Sequence, residues 1–198
     1  MKKSIFFLSL ALLYSTESFT MNNNITIQDK TFSLSISHDQ IAGRIQALGA
    51  QITQDYAEKR PVFIGVLNGA FIFLADLVRA VDLDCEVDFL QISSYGDETQ
   101  SSGKITILKD ISRDITDRDI IIVEDIIDTG LSMQFLLDHL KALQPRSIRI
   151  ATFLHKNIAE RPFDLDYVAF EIDPEFVIGY GLDYAQLARN LKNVYKLS

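Results

Sequence analysis

Cysteine is almost absent from this chain. Cys85 is the only one in 198 residues, so no intrachain disulfide can form, and it reads as a small apolar core residue of a protein kept in a reducing compartment. Glycine and proline are scarce, with nine and four, which argues against a fibrous or disordered chain. Basic charge is outnumbered: 19 Lys and Arg face 27 Asp and Glu, for a net charge of −8 and a pI near 4.8. Such a surface repels a phosphate backbone, which excludes extended nucleic-acid binding. If the protein handles a phosphorylated small molecule, it must do so locally, with backbone amides, a few basic side chains and a metal. There is no internal repeat or low-complexity tract, and beyond residue 20 no apolar run reaches membrane length.

What is present is apolar: 47% of the residues are hydrophobic, enough for one well-buried core but short for two domains. The first twenty residues stand apart. Lys2 and Lys3 precede an apolar run from Ile5 to Tyr14 and a polar stretch, which is the pattern of a secretory signal. No clear small-residue cleavage site follows, and Met21 opens a Met-Asn-Asn-Asn stretch that reads as a natural start. The expectation is therefore a signal-like or mis-assigned extension over 1–20, a single domain over 21–198 and a cytoplasmic location.

Along that domain the pattern alternates. Residues 38–59 carry apolar positions at helical steps, Ile41, Ile45, Leu48, Ile52 and Tyr56. Strands are predicted over Val62–Leu67, Val87–Ser93, Ile105–Leu108, Asp119–Glu124 and Ser147–Leu154, and helices over Ala70–Val81 and Leu131–Leu143. Ile120 to Val123 is wholly β-branched, as a strand buried on both faces should be. Strands alternating with helices predict the α/β class, a Rossmann-like open parallel sheet flanked by helices. Ligands bind such sheets at the carboxyl ends of the strands.

The richest strand end is Val123-Glu124-Asp125-Ile126-Ile127-Asp128-Thr129-Gly130-Leu131-Ser132. Two adjacent carboxylates, then Asp-Thr-Gly, then a helix start make an anion site. Free amides and the helix dipole favour negative charge, Gly130 permits close approach, and Thr129 and Ser132 add hydroxyl donors. Glu124 and Asp125 can accept from a sugar diol or hold water around a cation. The plain alternative makes Asp128 an N-cap and the Glu-Asp pair a solvated strand end.

This segment resembles the phosphoribosyl pyrophosphate signature of the type I phosphoribosyltransferases. Further segments are similar to the hypoxanthine-guanine branch: Val66-Leu67-Asn68-Gly69-Ala70 to its pyrophosphate loop, Ser93-Ser94-Tyr95-Gly96 to its movable loop, Phe153-Leu154-His155-Lys156 to its purine-reading strand. Tyr167–Ile172 and Phe176–Tyr184 are similar to its C-terminal purine-binding stretch. The five segments fall in the family's order across residues 25–198.

The resemblance implies transfer of a phosphoribosyl group from phosphoribosyl pyrophosphate to a 6-oxopurine, with Mg²⁺, and a hood built from the N- and C-terminal segments. It implies that Asp128 exchanges the proton on the purine's imidazole ring once burial raises its pKa, and that Glu124 and Asp125 meet the ribose and its metal. Lys156 would donate to the exocyclic oxygen and so reject adenine. Phe176 would stack on the base, the Val177 backbone meet its edge, Asp183 hold Mg²⁺, and Arg189, in a final helix, bind pyrophosphate with the Leu67-Asn68-Gly69 loop. The peptide between Leu67 and Asn68 is expected to be cis. Leu131 and Ser132 join the phosphate loop, and Ser94 and Tyr95 belong to a lid over the site.

The family's pattern also implies a homodimer or homotetramer, no membrane and no nucleic acid. Two departures remove positive charge near phosphate: Asn68 and Leu131 stand where lysine is common in the family. His38, His139 and His155 have no metal-ligand spacing. A regulator of the same fold would need a basic patch or a helix-turn-helix partner, and the acidic chain offers neither. The nearer alternative is a related transferase acting on xanthine or another base.

Overall fold

A computed structural model describes residues 24–95, 104–157 and 162–198. The signal-like segment and the lid residues 96–103 lie outside these residues. The chain order is β1 (Asn24–Ile27), β2 (Lys30–Ile36), α1 (His38–Asp55), β3 (Val62–Leu67), α2 (Phe71–Ala80), β4 (Glu86–Tyr95), β5 (Lys104–Lys109), β6 (Asp119–Ile127), α3 (Leu131–Lys141), β7 (Ser147–Lys156), β8 (Tyr167–Ile172), β9 (Val177–Ile178) and β10 (Val194–Leu197).

Six strands form one sheet in the order β5-β4-β3-β6-β7-β8, parallel except for the β4–β5 pair. The alternation of side chains along the central strands explains why both faces need covering. Val62, Ile64, Ile120 and Ile122 point to the layer shared with Met133, Leu136 and Leu140 of α3. Phe63, Ile121 and Val123 point to the other, shared with Ile41, Leu48 and Ile52 of α1 and Phe73, Leu74 and Leu77 of α2. A strand that is apolar on both sides cannot face water on either. Helix α1 starts on a capping box, in which the Ser37 hydroxyl accepts from the Gln40 amide and Gln40 Oε1 accepts from the Ser37 amide.

A second, four-stranded antiparallel sheet, β1-β2-β10-β9, joins the two ends of the chain around Phe32, Ile178 and Ala188. This is the expected hood.

Four local expectations are corrected. Strand β6 continues through Glu124 and Asp125 to Ile127, because Ile126 and Ile127 still pair with Leu154 and His155 on β7. The first helix stops at Asp55 rather than residue 59, and the third at Lys141. No final helix holds Arg189. Ala185, Gln186 and Ala188 have positive φ, and backbone donors of Tyr180 and Gly181 are spent across the loop on Leu191 and Arg189 carbonyls. Tertiary hydrogen bonding overrides the helical propensity of Ala-Gln-Leu-Ala-Arg.

Cys85 is partly buried, and burial pushes its thiol pKa up, helped by Asp84. Asp88 of β4 is buried and accepts from the amides of Phe89, Ser112 and Arg113, tying the segment after β5 to the sheet. Burial alone would push its pKa up, but these donors, the Ser112 hydroxyl and Lys109 outweigh it and hold the pKa below the ordinary 3.8. A lowered folded-state pKa means the stabilisation is present above the unfolded value and lost as pH falls through the folded one. Asp88→Asn is therefore expected to cost about 1–3 kcal/mol at neutral pH and to flatten the loss of stability below about pH 4. Urea unfolding of both proteins between pH 3 and 7 checks this; an equal acid limb in the variant contradicts it.

Candidate active site

Connections run outward in both directions from the β3–β6 pair, since β3 leads through α2 to β4 and β6 leads through α3 to β7. The crevice at such a reversal of strand order is where open α/β sheets bind ligands. The ends of β3 and β6 flank it, carrying Leu67-Asn68-Gly69 and Glu124 to Ser132. Sequence-predicted residues thus converge because of sheet topology.

Glu124 is buried and Asp125 partly so, where β6 meets the crevice. Burial, then the Asp125 carboxylate beside it, pushes Glu124 well above the usual carboxylate range. Burial pushes Asp125 up too, against hydrogen bonds from Glu124 and the Ile126 amide and the positive charge of Arg189. Two such acids share a proton readily, and sugar hydroxyls or a cation can take its place. Asp128 follows the strand end, and Lys156 Nζ donates to its Oδ2 at 2.7 Å. The register of β6 on β7, with Ile127 opposite His155, makes this pairing. The Asp128 side chain is 49% exposed and that of Lys156 16%, so the burial expected of Asp128 is not found. Its partner is the lysine.

Asp128 does not cap the following helix. Gly130 does, at φ 78° and without a side-chain bond, and the Leu131 amide donates to the Thr129 hydroxyl at 3.5 Å. Glu124, Ile127, Asp128, Thr129, Gly130 and Ser132 are among the residues lining a small hollow of about 100 Å³. Leu131 is largely exposed, in keeping with a position that lysine can occupy elsewhere.

The Leu67–Asn68 peptide is cis. Asn68 Oδ1 accepts from Gln91 Nε2 at 3.4 Å. A Cβ on Gly69 would collide with the Asp125 carboxylate, and one on Gly181, at φ 103°, with the Gly69 carbonyl. The 179–182 turn therefore lies at backbone distance from the β3 loop, which in turn lies against the Asp125 side chain at the end of β6. Arg189 Nη1 donates to the Gly181 carbonyl at 2.8 Å, and Nη2 forms an ion pair with Asp183 Oδ1 at 2.6 Å.

Phe176 is part of the hood, 43% exposed, with Phe32 and Tyr184 as ring neighbours at 6.2 and 5.9 Å and Lys30 Nζ 5.5 Å from its centroid. Val177 is buried on β9, opposite Lys196. Ser94 and Tyr95 end β4, opposite Ile105 and Lys104. The sequence reading missed Gly181 and Gln186. The alternate glycines of Gly179-Tyr-Gly181 are a signal for the first, and nothing in the sequence marks the second.

Glu124, Asp125 and Asp183 offer hard oxygen donors. Among the described residues no three His, Cys, Asp or Glu side chains form a cage of their own. That donor set fits a small divalent cation that rests on one or two carboxylates and completes its shell with water and substrate oxygens.

Comparison with known proteins agrees with this geometry. A phosphoribosyl transferase domain family model matches residues 36–185. The chain is 45% identical over 159 residues to the hypoxanthine-guanine phosphoribosyltransferase of Streptococcus mutans, covering 80% of this chain and 88% of that one. It is 43% identical over 157 residues to that of Bacillus subtilis, covering 79% and 87%. The crystal structure of a hypoxanthine-guanine phosphoribosyltransferase from Bacillus anthracis superposes with a TM-score of 0.79 at 39% identity, covering 84% of this chain and 98% of that one.

Proposed function

Because the chain belongs to the phosphoribosyltransferase family and matches hypoxanthine-guanine enzymes over most of their length, we propose that it is a purine-salvage transferase. It moves the phosphoribosyl group of phosphoribosyl pyrophosphate onto hypoxanthine or guanine, giving IMP or GMP and pyrophosphate. Residues 21–198 act as one domain, in the cytoplasm, as a homodimer or homotetramer. No helix among the described residues is long and apolar enough to cross a membrane.

The observation that carries the reading is the Lys156–Asp128 pair at the ends of neighbouring strands. A 6-oxopurine presents an acceptor and a ring N–H, and this pair presents a donor and an acceptor to match them. When the exocyclic oxygen draws Lys156 away, Asp128 is left to accept the imidazole proton as the ring nitrogen attacks the anomeric carbon. The α3 amides with Thr129, Gly130, Leu131 and Ser132 hold the phosphate of the phosphoribosyl group, and Glu124 and Asp125 accept from its ribose hydroxyls. Amides of Asn68 and Gly69 and the Arg189 guanidinium hold the pyrophosphate. Neither Asn68 nor Leu131 carries charge, so backbone amides supply more of this binding. Phe176 covers the base, the Val177 backbone meets its edge, and Ser94 and Tyr95 approach with the lid. Asp183, with Glu124 and Asp125, would hold Mg²⁺, which would supply positive charge against the leaving pyrophosphate.

The full chain is expected to consume hypoxanthine or guanine with phosphoribosyl pyrophosphate and Mg²⁺, and to leave adenine untouched. Parallel spectrophotometric assays that include xanthine check this. Lys156→Gln is expected to raise KM for hypoxanthine about tenfold or more, the worth of one charge-assisted hydrogen bond. Turnover of adenine by the unaltered chain would overturn the assignment of Lys156.

A further inference from the structure

A guanidinium has five N–H donors, and Arg189 commits two of them to hydrogen bonds inside its own loop. Nη1 donates to the Gly181 carbonyl at 2.8 Å and Nη2 to Gln186 Oε1 at 3.2 Å, while Nη2 also lies 2.6 Å from Asp183 Oδ1 in an ion pair. Asp183 Oδ2 accepts in turn from the Gln186 backbone amide at 2.7 Å. Gln186 thus touches both members of the ion pair, one through its amide and the other through its side chain. Its φ of 68° is left-handed backbone, which few side chains adopt without a reason.

The Asp183–Arg189 pair has two competing claims on it under the function proposed above. A cation draws the Asp183 carboxylate, and pyrophosphate draws Arg189. Once the cation takes Asp183, Arg189 loses its ion-pair partner, and a long side chain without one spreads over rotamers. The remaining ties are the Gly181 carbonyl and Gln186 Oε1, both neutral acceptors. Gly181 lies against Gly69, so these two ties keep the guanidinium beside the pyrophosphate loop. A neutral acceptor can hold it there without adding negative charge against a pyrophosphate.

We infer that Gln186 is a positioning residue for pyrophosphate, holding Arg189 in place when the cation occupies Asp183. The inference rests on the functional reading above, and it assigns a role to a residue outside the motifs that carry that reading.

The test compares the unaltered chain with Gln186→Met, which keeps the length and the backbone amide but removes the acceptor, and Gln186→Glu, which restores an acceptor. Binding of pyrophosphate is measured by calorimetry with and without Mg²⁺, beside steady-state kinetics. Gln186→Met is expected to weaken pyrophosphate binding and raise KM for phosphoribosyl pyrophosphate about five- to tenfold with Mg²⁺, the net worth of one hydrogen bond to a charged group. Without Mg²⁺, where Asp183 still holds Arg189, binding should change less than about twofold, and with Mg²⁺ kcat and the KM for hypoxanthine should change no more than that. Gln186→Glu should recover the unaltered chain's ratio of affinities with and without Mg²⁺. An equal loss with and without Mg²⁺, no loss, or a Glu variant that behaves like Met overturns the inference. An unaltered chain that neither turns over nor binds pyrophosphate instead overturns the functional reading beneath it.

Discussion

Replacing Asp128 by asparagine is expected to lower turnover of hypoxanthine and guanine by about 10²–10⁴-fold, the usual contribution of a positioned acid–base group, while the folded protein persists. The substitution keeps size and an acceptor for Lys156, so the 2.7 Å contact to Lys156 has a neutral replacement. It removes only the capacity to take a proton. The stability cost should be small, because the Asp128 side chain is about half exposed and exposed ion pairs are worth at most about 1 kcal/mol. Initial rates with saturating substrates, set beside a thermal unfolding curve, separate the two effects. Turnover within tenfold of the unaltered chain would remove Asp128 from the chemistry. A loss that tracks unfolding would make it a structural residue.

Gly181→Ala is expected to cost about 100-fold or more in turnover, although residue 181 carries no chemistry. At φ 103° a Cβ is strained, at about 1–3 kcal/mol, and it points at the carbonyl of Gly69. Gly69 cannot retreat, because its own Cα faces the Asp125 carboxylate. The 179–182 turn must therefore lift, carrying Asp183 with it and shifting the carbonyl that anchors Arg189. Displacement of catalytic groups by about 1 Å is enough for a loss of that size. Gly43→Ala is the control. It lies on α1 with no atom near a new Cβ, and should keep full activity with a slight gain in stability, about 1 kcal/mol, from helix propensity. Rates and unfolding midpoints for the two variants decide the matter. If Gly181→Ala works at a rate within threefold of the unaltered chain, the three-layer contact does not position the site.

These two positions show how unevenly the site could be read in advance. Asp128 sits in a run whose local chemistry is explicit, with carboxylates behind a β-branched strand and a glycine before a helix. Gly181 is one glycine among nine, and its importance lies in what it touches. The run Ala-Gln-Leu-Ala-Arg favours a helix around Arg189. Instead the Tyr180 and Gly181 amides donate across the loop to the Leu191 and Arg189 carbonyls, and the loop turns through left-handed residues. That difference lets Gln186 reach Asp183 and Arg189 together. The extension of β6 past Glu124 had a similar cause, since pairing with β7 outlasts the stretch of β-branched residues.

The sequence by itself determined the alternation of strands and helices, the burial of the central sheet on both faces, and the run of carboxylates, hydroxyls and glycine from Glu124 to Ser132 at a strand end. Each of these follows from the period of apolar residues or from functional groups a few residues apart. Only the tertiary structure decided that Lys156 pairs with Asp128, that Arg189 pairs with Asp183, and that Gly181, Gly69 and Asp125 stack. Those contacts join segments that the sheet order brings together at the β3–β6 reversal, or that a loop folds back on itself. Sequence spacing carries no record of either distance.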